Sequence, residues 1–370
     1  MLLQQFTKLG LQHIKHNLTE AVYLKTGLDF TKPRSIQGIV NERCNYKCRY
    51  CNFWRLDNYQ SEMTIAQWQK ALLSLKEFLG WYVIQFAGGE PFIKKGFVDL
   101  LEFCHAEGIA WGVITNGSTF NRKIVERVVA ARPVNIDISV DSAIAEIHDF
   151  VRGMPNSHSN ISQGIIFLRE EQKRQGINFP IRIKPTVHRY NLRHLLELVN
   201  WTKQIGATTI DFSAVKHWTT EVKTELWIQD EHDLEILRQT VETLVAMKKD
   251  GAPIETSEQK LYSFIDHFQG KTVKYGVLPC RLSLRDYHIR PNGDIIMCHL
   301  YPPLGNVRTS SAREIWYSKW TKQLRAQMVQ CEKLGQPECG NLCLASHVPL
   351  LQQFQRGLLL LRQVGFKEHT

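Results

Sequence analysis

Between residues 36 and 214, six short apolar runs alternate with five stretches of helical period, and few folds accept such a chain. The strand candidates are 36–41, 82–87, 110–114, 134–140, 181–187 and 208–214; the helical stretches are 64–79, 97–107, 121–131, 161–175 and 192–204. Parallel strands need a long crossover between them, and a helix supplies it. The alternation therefore predicts an α/β protein with a parallel sheet and crossover helices. Six strands suggest a partial barrel. In parallel α/β folds function gathers at the carboxyl ends of the strands.

The most specific feature is CNYKCRYC, which places Cys44, Cys48 and Cys51 inside eight residues. Three thiolates on a short loop can ligate three irons of a cubane and leave the fourth iron an open site. A structural zinc loop is the competing reading. Zinc takes four protein ligands, usually from paired knuckles. No fourth Cys or His lies near this loop, since His13 and His16 precede it and the next cysteine is Cys104. A disulfide suits a secreted chain, and nothing here points to secretion. Cys104, among Leu and Phe at helical spacing, reads as a small core residue. His105 and His148 have no partner pattern and read as surface or cap residues.

Cys44-x3-Cys48-x2-Cys51, with Tyr50 just before the last cysteine, resembles the cluster loop of the radical S-adenosylmethionine (SAM) enzymes. The resemblance implies a partial (β/α)6 TIM-like barrel in which the three thiolates hold a 4Fe-4S cluster and SAM chelates its open iron. It further implies reductive cleavage of SAM to a 5'-deoxyadenosyl radical, which abstracts a substrate hydrogen atom. Downstream, the apolar run 81–87 ends in Gly88, Gly89 and Glu90. A glycine pair allows close backbone approach to a ligand, and a carboxylate can receive an ammonium. In the resembled family this segment receives the SAM amino group. The next strands end in Thr115-Asn116-Gly117 and in Ser139-Val140-Asp141, and the fifth runs into His188. Ser139 and Asp141 are two apart and point to one side of the sheet. Similarity to the family's ribose-contacting strand implies that role for both, with a plain helix cap as the alternative for Asp141. Tyr50 and Asn116 complete the implied cofactor-binding set. Arg182 and Lys184 are candidates to neutralise the SAM carboxylate, although basic residues on strands are commonly solvated.

A second thiol group starts at Cys280. Twelve residues separate it from Gly293 and four separate Gly293 from Cys298. Alternating runs in RLSLRDYHIR and DIIM flank Pro291-Asn292-Gly293-Asp294 and read as a β-hairpin that brings Cys280 and Cys298 to one end. Cys331, Cys339 and Cys343 follow. The group resembles the SPASM and twitch extensions of radical SAM enzymes, which open an auxiliary cluster site with this Cys…Gly…Cys spacing. Five late cysteines are too few for the two auxiliary clusters of a full SPASM domain. The resemblance implies one auxiliary 4Fe-4S cluster on Cys280, Cys298, Cys343 and either Cys339 or Cys331. Cys339 and Cys343 fit the family pattern and Cys331 does not, so Cys331 is the expected spare thiol and a candidate hydrogen donor. A zinc knuckle is the alternative.

The net charge of +10 has three uses: steering an acidic electron donor such as a flavodoxin or ferredoxin, attracting an acidic peptide, or binding RNA. Lys and Arg are scattered without a dense patch, which makes nucleic acid the weakest of these. Nine cysteines without a signal peptide read as metal ligands kept reduced in a cytoplasmic protein. The longest leucine run, Leu358 to Leu361, is too short to span a bilayer. The expected organisation is a helical lead-in over 1–35 with Leu2, Leu3, Phe6, Leu9 and Leu11 as its apolar set, and a barrel over 36–235. A helical connector over 236–270, an auxiliary-cluster domain over 271–346 and a terminal helix over 347–370 follow. SPASM-type relatives often modify ribosomally made peptides, and others dehydrogenate sugars or aminocyclitols. A peptide-modifying maturase is therefore the leading expectation, although 43 residues before the cluster loop are few for a winged-helix peptide-recognition domain. Small-molecule dehydrogenation or carbon-skeleton chemistry is the first alternative, and a non-catalytic iron-sulfur or zinc protein the second.

Overall fold

The structure is a computed structural model that describes residues 2–56, 62–216, 220–271, 280–332 and 339. After helix α1 (Leu2–Thr26) the chain alternates as the sequence pattern predicts: β1 (Ser35–Ile39), α2 (Ile65–Leu79), β2 (Val83–Ala87), α3 (Phe97–Ala106), β3 (Ala110–Thr115), α4 (Arg122–Ala130) and β4 (Asn135–Ile138). Two helices, α5 (Ala145–Arg152) and α6 (Ser157–Gln175), then stand where one was predicted. Gly153 and Asn156 take left-handed φ of 62° and 61° between them, and no helix continues through such residues. Next come β5 (Ile181–Ile183), β6 (Thr186–Val187), α7 (Leu195–Gln204), β7 (Thr209–Ile210), β8 (Ser213–Ala214), α8 (Thr220–Glu225), α9 (Glu231–Lys249) and α10 (Glu258–Phe268). The predicted fifth and sixth strands are thus each split. Pro185 has no N–H for the ladder, and its carbonyl accepts Ser213 N at 3.0 Å. β5 and β7 pair in the main sheet, while β6 and β8 form a small parallel sheet of their own.

The last third adds α11 (Leu282–Arg285), β9 (Asp286–Ile289), β10 (Asp294–Ile296), β11 (Gly305–Asn306), α12 (Ala312–Tyr317) and α13 (Lys319–Val329). The Asn292-Gly293 turn closes an antiparallel β9–β10 hairpin, with Gly293 at φ 91°. Residues 282–285 are helical where strand alternation was read. Arg281 and Arg285 both reach Glu20 of α1, at 3.4 Å and 2.6 Å; a helical turn stacks residues four apart, whereas a strand would set them about 13 Å apart. The hairpin joins the main sheet: β9 pairs in parallel with β1, Ser35 opposite Asp286. The full order is β11-β10-β9-β1-β2-β3-β4-β5-β7.

One face of this sheet is apolar and covered by helices; Phe86 of β2 packs edge-on against Trp68 of α2 and Phe97 of α3. Alternate residues face the other way. In register across that second face lie His288, Gln37, Gln85, Gly112 and Asn135, so it is polar. Among the described residues no helix is long and apolar enough to cross a membrane. The side chains of Leu2, Leu3, Phe6, Leu9 and Leu11, the helix predicted over 347–370 and Cys343 lie outside the described residues.

Candidate functional site

The loop that leaves β1 carries Cys44, Cys48 and Cys51 across the carboxyl ends of the strands, and two groups of contacts hold it. On one side Gly89 N donates to Asn41 O at 3.1 Å and Glu90 N to Arg43 O at 2.8 Å. Asn45 Nδ2 donates to Ser118 Oγ at 2.8 Å, and Asn116 Nδ2 to Asn45 Oδ1 at 3.1 Å. On the other side the end of α5 grips the loop. Arg49 N donates to Val151 O at 2.9 Å, the Arg49 guanidinium lies 3.9 Å over the Phe150 ring, and a Cβ on Gly153 would stand 2.5 Å from Lys47 O. Tyr50 Oη, next to Cys51, donates to Asp141 Oδ2 at 2.9 Å.

The three thiols are unbridged. Cys44 Sγ accepts Tyr46 N–H at 3.4 Å and Asn116 Nδ2 at 3.8 Å, and Cys51 accepts Phe53 N–H. Backbone N–H groups aimed at sulfur stabilise bound thiolates. Burial pushes the Cys44 thiol up to about 11 and Cys48 up to about 12, and raises Cys51 as well. The bare loop is therefore protonated at neutral pH, and metal entry expels protons. Among the described residues no three His, Cys, Asp or Glu side chains converge on one point that a single metal ion could occupy. The donor set, three soft thiols in a loop that offers no fourth ligand, fits a cluster with an open iron.

Around this loop the structure shows what holds the predicted site residues in place. A Cβ on Gly88 (φ 146°) would stand 2.4 Å from Asn41 O, and one on Gly89 would stand 2.0 Å from Arg43 O. Both glycines are demanded by the packing of the cluster loop itself. Glu90 is fully buried and accepts Thr115 Oγ1 at 2.7 Å, Asn116 N at 2.7 Å and Phe92 N at 3.1 Å. Burial pushes its carboxyl up to about 7 against these three bonds. The carboxylate is a brace between β2 and β3. Asn41, which sequence reasoning passed over, has a buried Oδ1 at this turn that no described group satisfies.

Asp141 is also fully buried. Burial works to raise its pKa, but Arg152 Nε at 2.7 Å overcomes this and holds the carboxyl below its ordinary range. Tyr50 Oη and Thr186 N, the latter at 2.8 Å, donate to it as well. It clamps the thiol loop to α5 and β6. Ser139, half-buried, donates its N–H to Thr115 O at 3.0 Å. Arg182 is bound to Asp137 at 2.7 Å and Glu255 at 2.5 Å, and Lys184 to Asp211 at 2.5 Å, so neither is a free or solvated cation. His105 is exposed, but His148 is buried, its Nδ1 accepting Asp141 N at 3.2 Å. His188, at the end of β6, is buried, and no described group hydrogen-bonds either ring nitrogen. Cys104 is a core residue, as read.

A second set of thiols gathers beyond β10. Burial pushes Cys280 up to about 11, and Cys339, Cys298 and Cys331 each add to the rise. Tyr301 Oη donates to Cys331 Sγ at 3.2 Å.

Comparison with known proteins agrees with this architecture. The family model described as the radical SAM superfamily matches residues 39–202, and the SPASM model, an iron-sulfur cluster-binding domain, matches residues 280–343. An AdoMet-dependent heme synthase of Methanosarcina barkeri is 24% identical over 310 residues, 77% of this chain and 82% of that protein. A PqqA peptide cyclase of Rhodopseudomonas palustris is 22% identical over 305 residues, 78% of this chain and 74% of that protein. Streptococcus suis SuiB bound to S-adenosylmethionine superposes with a TM-score of 0.65 at 17% identity, covering 84% of this chain and 71% of SuiB. The fold, the thiol loop at the strand ends and the two matches agree: residues 39–202 form a radical SAM domain and residues 280–343 a SPASM-type iron-sulfur cluster-binding domain.

Proposed function

We propose that the chain reductively cleaves SAM and abstracts a hydrogen atom from a ribosomally made peptide. The observation that carries the reading is the loop of Cys44, Cys48 and Cys51, fixed at the carboxyl ends of the strands by Tyr50, Asp141 and Arg152. When bound there, a 4Fe-4S cluster supplies the electron that breaks SAM to a 5'-deoxyadenosyl radical. The protein's part is placement. Asn41 Oδ1, with the backbone around Gly88 and Gly89, offers acceptors for the SAM ammonium, and Ser139 offers a hydroxyl to the ribose. Asn116 keeps Cys44 and Glu90 in one arrangement through its side chain and its N–H. The later cysteines hold one auxiliary 4Fe-4S cluster. A net charge of +10 suits an acidic flavodoxin- or ferredoxin-type reductant.

Peptide chemistry is supported by relatives whose names or titles contain a peptide: the PqqA peptide cyclases, SuiB bound to the precursor peptide SuiA, and anSMEcpe with the Cp18Cys peptide. Small-molecule chemistry is the second reading, favoured by the similarity to AdoMet-dependent heme synthases. Anaerobic reconstitution tests the class: about eight irons per chain, four for each 4Fe-4S cluster, and 5'-deoxyadenosine formed with a chemical reductant. Zinc in place of iron would falsify it. Co-expression with short peptides encoded beside the gene separates the two substrates, since a peptide of changed mass appears only under the first.

A further inference from the structure

We propose that Cys331 is a ligand of the auxiliary cluster beside Cys280 and Cys298 and that Tyr301 positions its sulfur. The proposal rests on the reading that the C-terminal region holds a 4Fe-4S cluster. Spacing along the chain sets Cys331 aside, but the fold brings it back. Cys280 stands just before α11, and Cys331 just after α13, where its N–H caps the helix on Met328 O at 3.2 Å. Helices α11 and α13 pack against each other, and Cys331 and Cys298 both lie close enough to Cys280 to act on its charge. Cys298 follows β10 and is tied in by one residue: Tyr301 N donates to Cys298 O at 3.3 Å while Tyr301 Oη donates to Cys331 Sγ at 3.2 Å. A single tyrosine therefore bridges the cysteine of the hairpin and the cysteine of the helix.

Two consequences follow from the chemistry. Four thiolates fill all four irons, so the auxiliary cluster carries electrons and offers no iron to a substrate. An O–H···S bond draws charge from the sulfur, which eases reduction of the cluster it ligates.

The test uses full-length chain carrying Cys44→Ala, Cys48→Ala and Cys51→Ala, reconstituted anaerobically so that only the auxiliary cluster forms. Iron, acid-labile sulfide and the EPR spectrum of the reduced protein are compared with and without each further change, with circular dichroism to confirm folding. The parent is expected to hold about four irons. Cys331→Ala is expected to fall to about three or fewer with a changed EPR signal. Tyr301→Phe is expected to keep its iron and shift the midpoint potential to more negative values. Full iron and an unchanged signal in Cys331→Ala overturns the ligand role of Cys331; an unmoved potential in Tyr301→Phe overturns the role of the tyrosine. A parent without iron instead defeats the underlying reading of an auxiliary cluster.

Discussion

A methyl group on Gly89 would sit 2.0 Å from the carbonyl oxygen of Arg43, the residue before Cys44. Gly89→Ala is therefore expected to displace the cluster loop and to lose its iron, as read from metal content and the visible spectrum. Full iron with weakened SAM binding in that variant would return the glycine to a ligand-approach role. Asn41→Leu is expected to behave in the opposite way, keeping iron while SAM affinity falls about tenfold, the scale of one lost hydrogen bond to a charged group; equilibrium dialysis with SAM checks it. At this scale the sequence shows which residues matter more readily than what they do. Glu90 and Asp141 stand out as carboxylates at strand ends, yet their oxygens bond to Thr115, Asn116, Tyr50, Arg152 and Thr186. Those partners lie far off along the chain, and no local pattern announces them.

Helix α5 shows what an element adds. Its last residue, Arg152, neutralises a wholly buried Asp141, and the following Gly153 lets the helix end press against Lys47. Arg152→Met strands a buried carboxylate and is expected to cost about 3–5 kcal/mol, measured by urea unfolding, and to loosen the cluster loop. An ordinary surface-like loss of a few tenths would show that Asp141 had found another partner. On α2, Thr64 and Gln67 form a capping box, and Thr64→Ala is expected to cost about 1 kcal/mol in the same assay. Long amphipathic elements such as α2 and α3 were legible in the sequence to within a residue or so, because period and caps agree there. The α5–α6 break and the splitting of two strands were not. They depend on Asn156 taking a left-handed conformation and on Pro185 withholding a donor at one rung, choices that tertiary packing makes.

For the whole molecule, acid sensitivity follows from two buried imidazoles. Burial pushes His148 down to about 3 and His188 down to about 4, so the folded chain refuses protons that the unfolded chain accepts. Stability present above the ordinary histidine pKa of about 6.5 is lost as pH falls toward about 4. Glu90, pushed up to about 7, works the other way over part of the same range, but it is one group against two. Unfolding midpoints are expected to drop between about pH 7 and pH 5, and His188→Leu to reduce the drop while stabilising the chain by about 1 kcal/mol at neutral pH, since no described group bonds its ring nitrogens. A pH-independent midpoint would refute this account. The parallel pairing of β1 with β9 has a further meaning in time. Ser35 leaves the ribosome roughly 250 residues before its partner Asp286, an interval on the order of 10–50 s at ordinary synthesis rates. Through that interval the cluster loop is already made while the sheet edge beside it stands open, so a nascent chain has reason to take up its metal late, once its own last third has arrived to close it.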